Sequence, residues 1–348
     1  MLRILLSATL LIPAIAFLQN HSSNKCWNPP LFLRVNTNQP IRNIPQPLPR
    51  PPPPPTIKQK LKKWTELLRP SSLPPTFLLC ATGGWLMNPS LQNLFHSTQF
   101  QIATVCTLLT TASSMVINDI YDIENDKIDH PTRPLPSGII SITEAVSTVV
   151  LLLGAIGYLS KNYLRADLQW LLQLSIAIVI SYTPILKRIP LVKNISCAFL
   201  VSLSLFFNGL SSTTTEMTVQ TNFPLLCLAM SSVFFGSLYN ELLLDMRDIE
   251  GDRVAKIKTL PVLLGRPFSY AILMYLVYIN LEWNFLSMYY LFGIPKALGY
   301  LLCYSPLMIQ LNNVRVQKFS KDSLIQASKA SSLPLLLVML YFCALALF

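Results

Sequence analysis

The sequence predicts an all-α, multi-pass membrane protein with about nine transmembrane helices. The first observation is composition, because 52% of the 348 residues are hydrophobic and only 12% are charged. A soluble domain carries about 25% charged residues. The second observation is a series of apolar segments of about the 18 residues that a membrane span requires. These segments are 73–89, 99–117, 139–160, 167–184, 195–212, 223–244, 264–281, 292–312 and 331–348.

The amino-terminal region, residues 1–56, is predicted to be a targeting sequence and linker that precedes a membrane domain at 57–348. Arg3 is followed by an apolar core at 4–14 and then by Ala16-Phe17, a pattern typical of a signal peptide. The stretch behind it contains no acidic residue before Glu66, as in a transit peptide. The Ala16-Phe17 junction resembles the two-part plastid-targeting sequences of algae with secondary plastids. We therefore expect a plastid membrane, with the endoplasmic reticulum or an ordinary signal anchor as the alternative.

Two short segments connect this leader to the first apolar segment. Pro51 to Pro55 predicts a stiff polyproline spacer. Residues 57–69 then place Ile57, Leu61, Trp64 and Leu68 on one face of a helix that is otherwise rich in lysine. Such a basic amphipathic helix is predicted to lie on the membrane surface.

Basic residues are distributed unevenly between the loops, which gives the third observation behind the membrane prediction. The loops and segment ends on the opposite side of the membrane hold Lys161, Arg165 and Lys296. Most of the other basic residues lie before the first segment and in the loops after the second, fourth, sixth and eighth. This asymmetry follows the positive-inside rule. It accounts for the net charge of +11 without a nucleic-acid partner.

Two acidic clusters share the pattern D-x-x-D-I-E-x-D, at 119–126 and again at 245–252, an offset of 126 residues. Both fall at the end of an apolar segment on the basic side of the membrane. Carboxylates three and four positions apart share one face of a helix. Side-chain oxygens in such an arrangement suit hard cations such as Mg²⁺, which share their coordination with substrate phosphates. The pair of clusters therefore predicts a metal–diphosphate site.

The spacing within each cluster identifies the candidate residues. The first stripe is Asn118, Asp122 and Asp126, and the second is Glu241, Asp245, Asp248 and Asp252. A chance group of solvated acids explains these matched stripes poorly, because the whole chain has only 16 acidic residues. A diphosphate also needs positive charge near the metal. Lys187, Arg188, Arg133 and Arg253 are the candidates on this side, although any one of them could act only as a topology determinant.

Five sequence motifs resemble those of the UbiA superfamily of intramembrane prenyltransferases. The stretch 118–126 is similar to the family's N-D-x-x-D-x-x-x-D motif, and 245–252 to its D-x-x-D-x-x-G-D motif. Residues 133–138, R-P-L-P-S-G, the tyrosine–lysine loop at 182–187, and Arg69-Pro70 are also similar to family motifs. The resemblance covers about residues 60–348. It is closest to chlorophyll synthases and to geranylgeranylglyceryl-phosphate geranylgeranyltransferases.

The resemblance implies nine transmembrane helices around a central cavity, with Mg²⁺ as cofactor. It further implies the following roles, each expected at the matching position. The expected metal ligands are Asn118, Asp122, Asp126, Asp245, Asp248 and Asp252. The expected diphosphate-binding residues are Lys187, Arg133 and Asn118. The expected catalytic residues are Asp122, Asp126, Asp245, Asp248 and Tyr182, and Tyr182 would stabilise an allylic cation or position the prenyl chain.

The expected reaction is transfer of a prenyl chain from an allylic diphosphate to a lipophilic or aromatic acceptor within the membrane. Two departures leave the acceptor open: Asn240 stands where the glyceryl-phosphate branch often has arginine, and Tyr182 and Lys187 are five positions apart where several quinone-pathway members have four. An aromatic or tetrapyrrole acceptor ranks first and glyceryl phosphate second. A terpene cyclase that uses prenyl diphosphate alone is the nearest alternative. A transporter is a more distant one, because transporters often contain repeats but place their carboxylates near the bilayer midplane.

Overall fold

The computed structural model describes residues 56–213, 216–254 and 257–347, and within these ranges the regular elements are all helical. The predicted leader lies outside the described residues. The helices are α1 (Ile57–Leu68), α2 (Leu73–Met87), α3 (Leu91–His96), α4 (Thr98–Tyr121), α5 (Ile123–Asp129), α6 (Ile142–Tyr163), α7 (Ala166–Tyr182), α8 (Val192–Ser211), α9 (Glu216–Arg247), α10 (Ile249–Val254), α11 (Leu260–Leu264), α12 (Arg266–Phe292), α13 (Ile294–Val316), α14 (Lys321–Ala330) and α15 (Ser332–Leu345).

Each of the nine predicted apolar segments overlaps a helix, so the predicted all-α fold class is confirmed. Within the described residues, six helical segments are long and apolar enough to cross a membrane, and the count of nine spans is not confirmed. The other three of the nine predicted segments overlap helices that are not among these six. They are α2, with 15 residues, α7, with 17 residues, and α13. The six are Thr98–Tyr121, Ile142–Tyr163, Val192–Ser211, Asn222–Arg247, Arg266–Phe292 and Lys321–Leu345.

Helix α1 has the amphipathic character that its sequence predicts. The Thr56 hydroxyl accepts a hydrogen bond from the backbone N–H of Gln59, and the Gln59 side chain accepts one from the backbone N–H of Thr56. This capping box fixes where the helix begins. Trp64 and Leu68 pack against a buried cluster formed with α4, whereas Ile57 remains largely exposed. The exposed end of this face is free to contact lipid.

Small residues allow α2 and α8 to pack closely. A Cβ atom added at Gly83 would overlap the backbone oxygen of Leu205. Gly209 lies one turn further along α8, and a Cβ atom added there would come within 3.1 Å of the backbone oxygen of Gly83. Close helix contacts of this kind replace the hydrophobic driving force that is absent inside a bilayer. They place α8, whose first turn contributes to the candidate site, in a fixed position between α2 and α9.

Candidate functional site

The first acidic cluster lies where one long helix ends and a short one begins. Asn118 and Asp119 are in the last turn of α4, Asp122 is the single residue between α4 and α5, and Asp126 is in α5. Helical backbone hydrogen bonds continue through the junction, from the N–H of Asp126 to the carbonyl of Asp122 at 2.8 Å. The predicted stripe of Asn118, Asp122 and Asp126 is therefore preserved across the break.

The second cluster repeats this arrangement 126 residues later. Helix α9 ends at Arg247, Asp248 is the single residue before α10, and Asp252 lies within α10. Here too the N–H of Asp252 donates to the carbonyl of Asp248, at 3.0 Å. The sequence repeat is thus a repeat of local structure. In each copy, one aspartate lies in the last turn of a long helix, one directly follows that helix, and one lies in the short helix after it.

The carboxylates of the first cluster are paired with basic side chains from three other segments. Lys187 Nζ lies 2.5 Å from Asp122 Oδ2 and 3.2 Å from Asn118 Oδ1. Arg133 donates to both carboxylate oxygens of Asp126 at 2.7 Å. The structure therefore brings together the predicted metal ligands and the predicted diphosphate-binding residues of this cluster. Arg188, the neighbour of Lys187, is exposed.

Asp119 has a different environment from its neighbours. Its side chain is buried, and it accepts a hydrogen bond from Arg69 at 2.5 Å. Arg69 follows α1 in the left-handed backbone region, with φ of 45°. The pair joins the end of the surface helix to the last turn of α4, so the Arg69-Pro70 motif has a structural connection to the acidic cluster.

The second cluster has its own set of partners. Lys193 Nζ lies 2.7 Å from Asp245 Oδ1, and Asn194 Nδ2 lies 3.0 Å from Asp245 Oδ2. The hydroxyl of Thr259 donates to Asp252 at 3.1 Å. Asp248 is exposed and is paired with the adjacent Arg247. The contacts with Asp245 and Asp252 connect α9 and α10 to the first turn of α8 and to the residue that precedes α11.

The Asp252 carboxyl has a perturbed protonation equilibrium. Burial raises its pKa above the usual value for aspartate, while the hydrogen bond from Thr259 and the positive charge of Lys193 act in the opposite direction. The nearby carboxylates of Asp245 and Asp248 raise this pKa further. A bound cation would reverse the effect of these like charges, as expected at a metal site.

Tyr182 is the last residue of α7, and its hydroxyl oxygen accepts a hydrogen bond from the Cys197 thiol at 3.1 Å. Cys197 lies one turn after Lys193 in α8, and Lys193 contacts Asp245. Glu241 occupies α9 one turn before Asp245. Tyr182 is therefore joined to the segment of α8 that contacts the second cluster.

Sequence reasoning missed two residues that contact Asp245 of the second cluster, Lys193 and Asn194. Lys193 counted only as one basic loop residue among many. Asn194 is buried and lies next to the start of an apolar segment. An isolated amide at such a position is the sequence feature that could have identified it as a candidate site residue. The contacts of both residues depend on the turn between α7 and α8, which local patterns do not predict.

The residues present fit a Mg²⁺ ion. The candidate ligands supply only oxygen, which is the donor type that Mg²⁺ prefers. In the described ranges no three carboxylate, thiol or imidazole groups converge closely enough to hold an ion alone. Mg²⁺ does not require this, because it is commonly bound by one or two carboxylates together with water and substrate phosphate.

Several named archaeal proteins are similar to this chain. It is 30% identical over 200 residues to a digeranylgeranylglyceryl phosphate synthase of Sulfurisphaera tokodaii, a match that covers 58% of this chain and 70% of the relative. It is 27% identical to the synthase of the same name from Methanosphaera stadtmanae, over 82% of this chain and 100% of that protein.

The fold is similar to that of solved structures. A structure described as digeranylgeranylglyceryl phosphate synthase in membranes matches with a TM-score of 0.68 at 22% identity, covering 82% of this chain and 98% of that chain. A UbiA homologue from Archaeoglobus fulgidus, bound to DMAPP and Mg²⁺, matches with a TM-score of 0.54 at 20% identity, with the same coverage.

The sequence model that describes the UbiA prenyltransferase family matches residues 73–346 of this chain. This range includes both acidic clusters and most of the helical domain. The match confirms the predicted family and the predicted enzyme class, a prenyltransferase. This chain belongs to the UbiA prenyltransferase family.

Proposed function

We propose that this protein transfers a prenyl chain from an allylic isoprenoid diphosphate to a lipophilic acceptor in the membrane, with Mg²⁺ as cofactor. The observation that carries the proposal is the repeated helix junction, which presents Asp122 and Asp248 in the same local structure. The Archaeoglobus fulgidus homologues bound to Mg²⁺ together with DMAPP or GPP support it.

The acidic side chains would hold the metal and the basic ones the diphosphate. Bound Mg²⁺ would neutralise the diphosphate and make it a better leaving group. Lys187 and Arg133 now pair with Asp122 and Asp126, so each is already placed to exchange a carboxylate for a diphosphate oxygen. Their charge would stabilise the negative charge that develops on the departing group. The proposed metal ligands are Asn118, Asp122, Asp126, Asp245, Asp248 and Asp252.

Tyr182 and the apolar helices would control the other half of the reaction. Tyr182 is the last residue of α7 and contacts Cys197 of α8, and we assign to its ring the stabilisation of an allylic cation or the positioning of the prenyl chain. The surrounding helices would keep water away from that cation. The catalytic group proposed on these grounds consists of Tyr182, Asp122, Asp126, Asp245 and Asp248.

The names of the relatives favour a glyceryl phosphate lipid as the acceptor. The archaeal relatives are called digeranylgeranylglyceryl phosphate synthases, and an aromatic or tetrapyrrole acceptor therefore becomes the second candidate. Asn240 accepts a hydrogen bond from Ser331 at 2.6 Å. That position supplies no guanidinium for an anionic headgroup, and the charge must come from elsewhere in the site.

The direct test is product analysis with purified protein. Labelled geranylgeranyl diphosphate is incubated with geranylgeranylglyceryl phosphate, an aromatic acceptor or a tetrapyrrole acid, and without acceptor. We expect a prenylated product only when an acceptor is present. A cyclic hydrocarbon or alcohol formed without acceptor would contradict the transferase assignment and favour a cyclase.

We also propose that residues 1–55 direct the protein to a plastid membrane and that residues from 57 onward form the catalytic domain. The support is the signal-like core, Ala16-Phe17 and the absence of acidic residues before Glu66. The family match begins at residue 73, beyond this leader. Residues 1–60 fused to a fluorescent protein should enter the plastid of an alga with secondary plastids; retention in the endoplasmic reticulum or secretion would contradict the plastid assignment.

A further inference from the structure

The turn between α7 and α8 delivers one lysine to each acidic cluster. Lys187 contacts Asp122 of the first cluster, and Lys193 contacts Asp245 of the second. The two lysines are six positions apart, so their Cα atoms lie within roughly 21 Å of each other. Lys187 is already proposed to bind diphosphate. Lys193 has an equivalent contact on the opposite cluster and no role so far.

The backbone that positions Lys193 is unusual. Leu191, two residues earlier, has φ of 66° and immediately precedes α8. A residue with a side chain rarely adopts a positive φ, so the surrounding structure must offset the resulting strain. Strained positions of this kind are concentrated at functional sites. Here the turn points the first residues of α8 towards Asp245.

The Lys193–Asp245 pair is mostly shielded from solvent. The exposed fractions are 18% for the Lys193 side chain and 9% for Asp245, against 34% for Lys187. The amide of Asn194 satisfies the second oxygen of Asp245. In contrast, the Arg247–Asp248 pair in the same cluster is solvent-exposed. Among the ion pairs described for this cluster, Lys193 is the least exposed cation, with 18% against 22% for Arg266, which pairs with Glu250, and 33% for Arg247.

Metal binding would change the position of this ammonium group. If Asp245 coordinates Mg²⁺, its carboxylate can no longer accept the same hydrogen bond from Lys193. A partly buried ammonium without an anionic partner is unfavourable. The nearest replacement is an anionic oxygen of a bound substrate, since phosphate oxygens accept strong charge-assisted hydrogen bonds from lysine.

We propose that Lys193 is a second phosphate-binding lysine of the site, which donates to a phosphate oxygen of a substrate bound at the second cluster. The assignment rests on the proposed function. The phosphate belongs either to the prenyl diphosphate or to the headgroup of a glyceryl phosphate acceptor. In the second case Lys193 supplies the positive charge that Asn240 lacks.

The test is equilibrium binding by the purified full chain in detergent with Mg²⁺. Three ligands are compared: a non-reactive thio analogue of geranylgeranyl diphosphate, geranylgeranylglyceryl phosphate, and its dephosphorylated alcohol. Lys193→Gln should weaken the binding of at least one phosphorylated ligand roughly tenfold, the loss expected for one charge-assisted hydrogen bond. It should leave binding of the neutral alcohol unchanged, and Lys193→Arg should recover most of the affinity.

The control variant is Lys321→Gln, because Lys321 is exposed at the start of α14, in another basic-side loop. It should alter none of the three affinities. Loss confined to the thio analogue assigns Lys193 to the diphosphate, and loss confined to the glyceryl phosphate assigns it to the acceptor. Unchanged affinity for both phosphorylated ligands, or equal loss for all three, overturns the assignment.

Two further measurements distinguish a failure of this inference from a failure of the variant to fold and from a failure of the proposed function. If Lys193→Gln does not accumulate, the double variant Lys193→Gln/Asp245→Asn removes both charges of the pair, and it is compared with Asp245→Asn alone. The added loss must again be confined to phosphorylated ligands. If the wild-type protein binds neither phosphorylated ligand, the proposed function itself fails and the Lys193 assignment fails with it.

Discussion

Asp122 and Asp248 occupy the same place in two copies of one local structure. Each is the single residue between a long helix and a short one, and the two positions are 126 residues apart. Their surroundings differ, because Asp122 is paired with the distant Lys187 and Asp248 with the adjacent Arg247. Asp122 is thus joined to another part of the chain, whereas the Asp248 side chain remains exposed to solvent.

Asp122→Asn and Asp248→Asn should each reduce prenyl transfer at least about a hundredfold, because loss of a metal contact costs several kcal/mol at the transition state. The change hardly alters side-chain volume, so the protein should still accumulate in the membrane. Turnover of purified variants with geranylgeranyl diphosphate and acceptor is the measurement. Asp167→Asn, at an exposed carboxylate paired with Arg165, is the matched control and should retain activity. Activity within threefold of wild type in either cluster variant would contradict the metal-site assignment.

Removal of divalent cations should abolish activity, and added Mg²⁺ or Mn²⁺ should restore it. The reason is the all-oxygen set of proposed ligands, which suits hard cations. The protein is treated with EDTA, residual metal is measured, and single cations are added back. Full turnover in protein shown to be free of metal would exclude this proposal.

Arg69→Gln should lower thermal stability by several degrees, because it leaves the Asp119 carboxylate buried without its partner. The effect is moderated by the partial exposure of Arg69. Adding Asp119→Asn should recover part of the loss, since an amide tolerates burial better than an unpaired charge. Melting in a fixed detergent measures the four members of this double-mutant cycle. Strictly additive effects would show that the pair contributes no coupling.

Gly83→Ala should destabilise the protein by about 1–3 kcal/mol through overpacking of α2 against α8. Its Cβ would meet the backbone of Leu205, which cannot rotate away as a side chain can. The control is Gly154→Ala in α6, where a Cβ meets no atom within 4 Å. That change should be neutral or slightly stabilising, because alanine stabilises a helix more than glycine does. Equal melting temperatures for the two variants would argue against the close helix contact.

Much of this protein is determined by local sequence. Hydrophobic segments predicted the helices because apolar residues in a bilayer must satisfy their own backbone hydrogen bonds. The spacing of Asn118, Asp122 and Asp126 predicted a shared stripe, which the helical hydrogen bonds across the α4–α5 junction maintain. The repeat at 245–252 predicted a second equivalent junction for the same reason.

The tertiary structure determined which charges meet. Arg69 and Asp119 are 50 residues apart, and Lys193 and Asp245 are 52 apart. No periodicity encodes these contacts, because they depend on helix packing and on two left-handed backbone positions, Arg69 and Leu191. Sequence alone therefore identified the acidic residues, whereas the partner of each carboxylate followed from how α1, α4, α8 and α9 pack. The physical reason is that a helix presents its own side chains at fixed intervals, but long-range packing decides which cation lies opposite them.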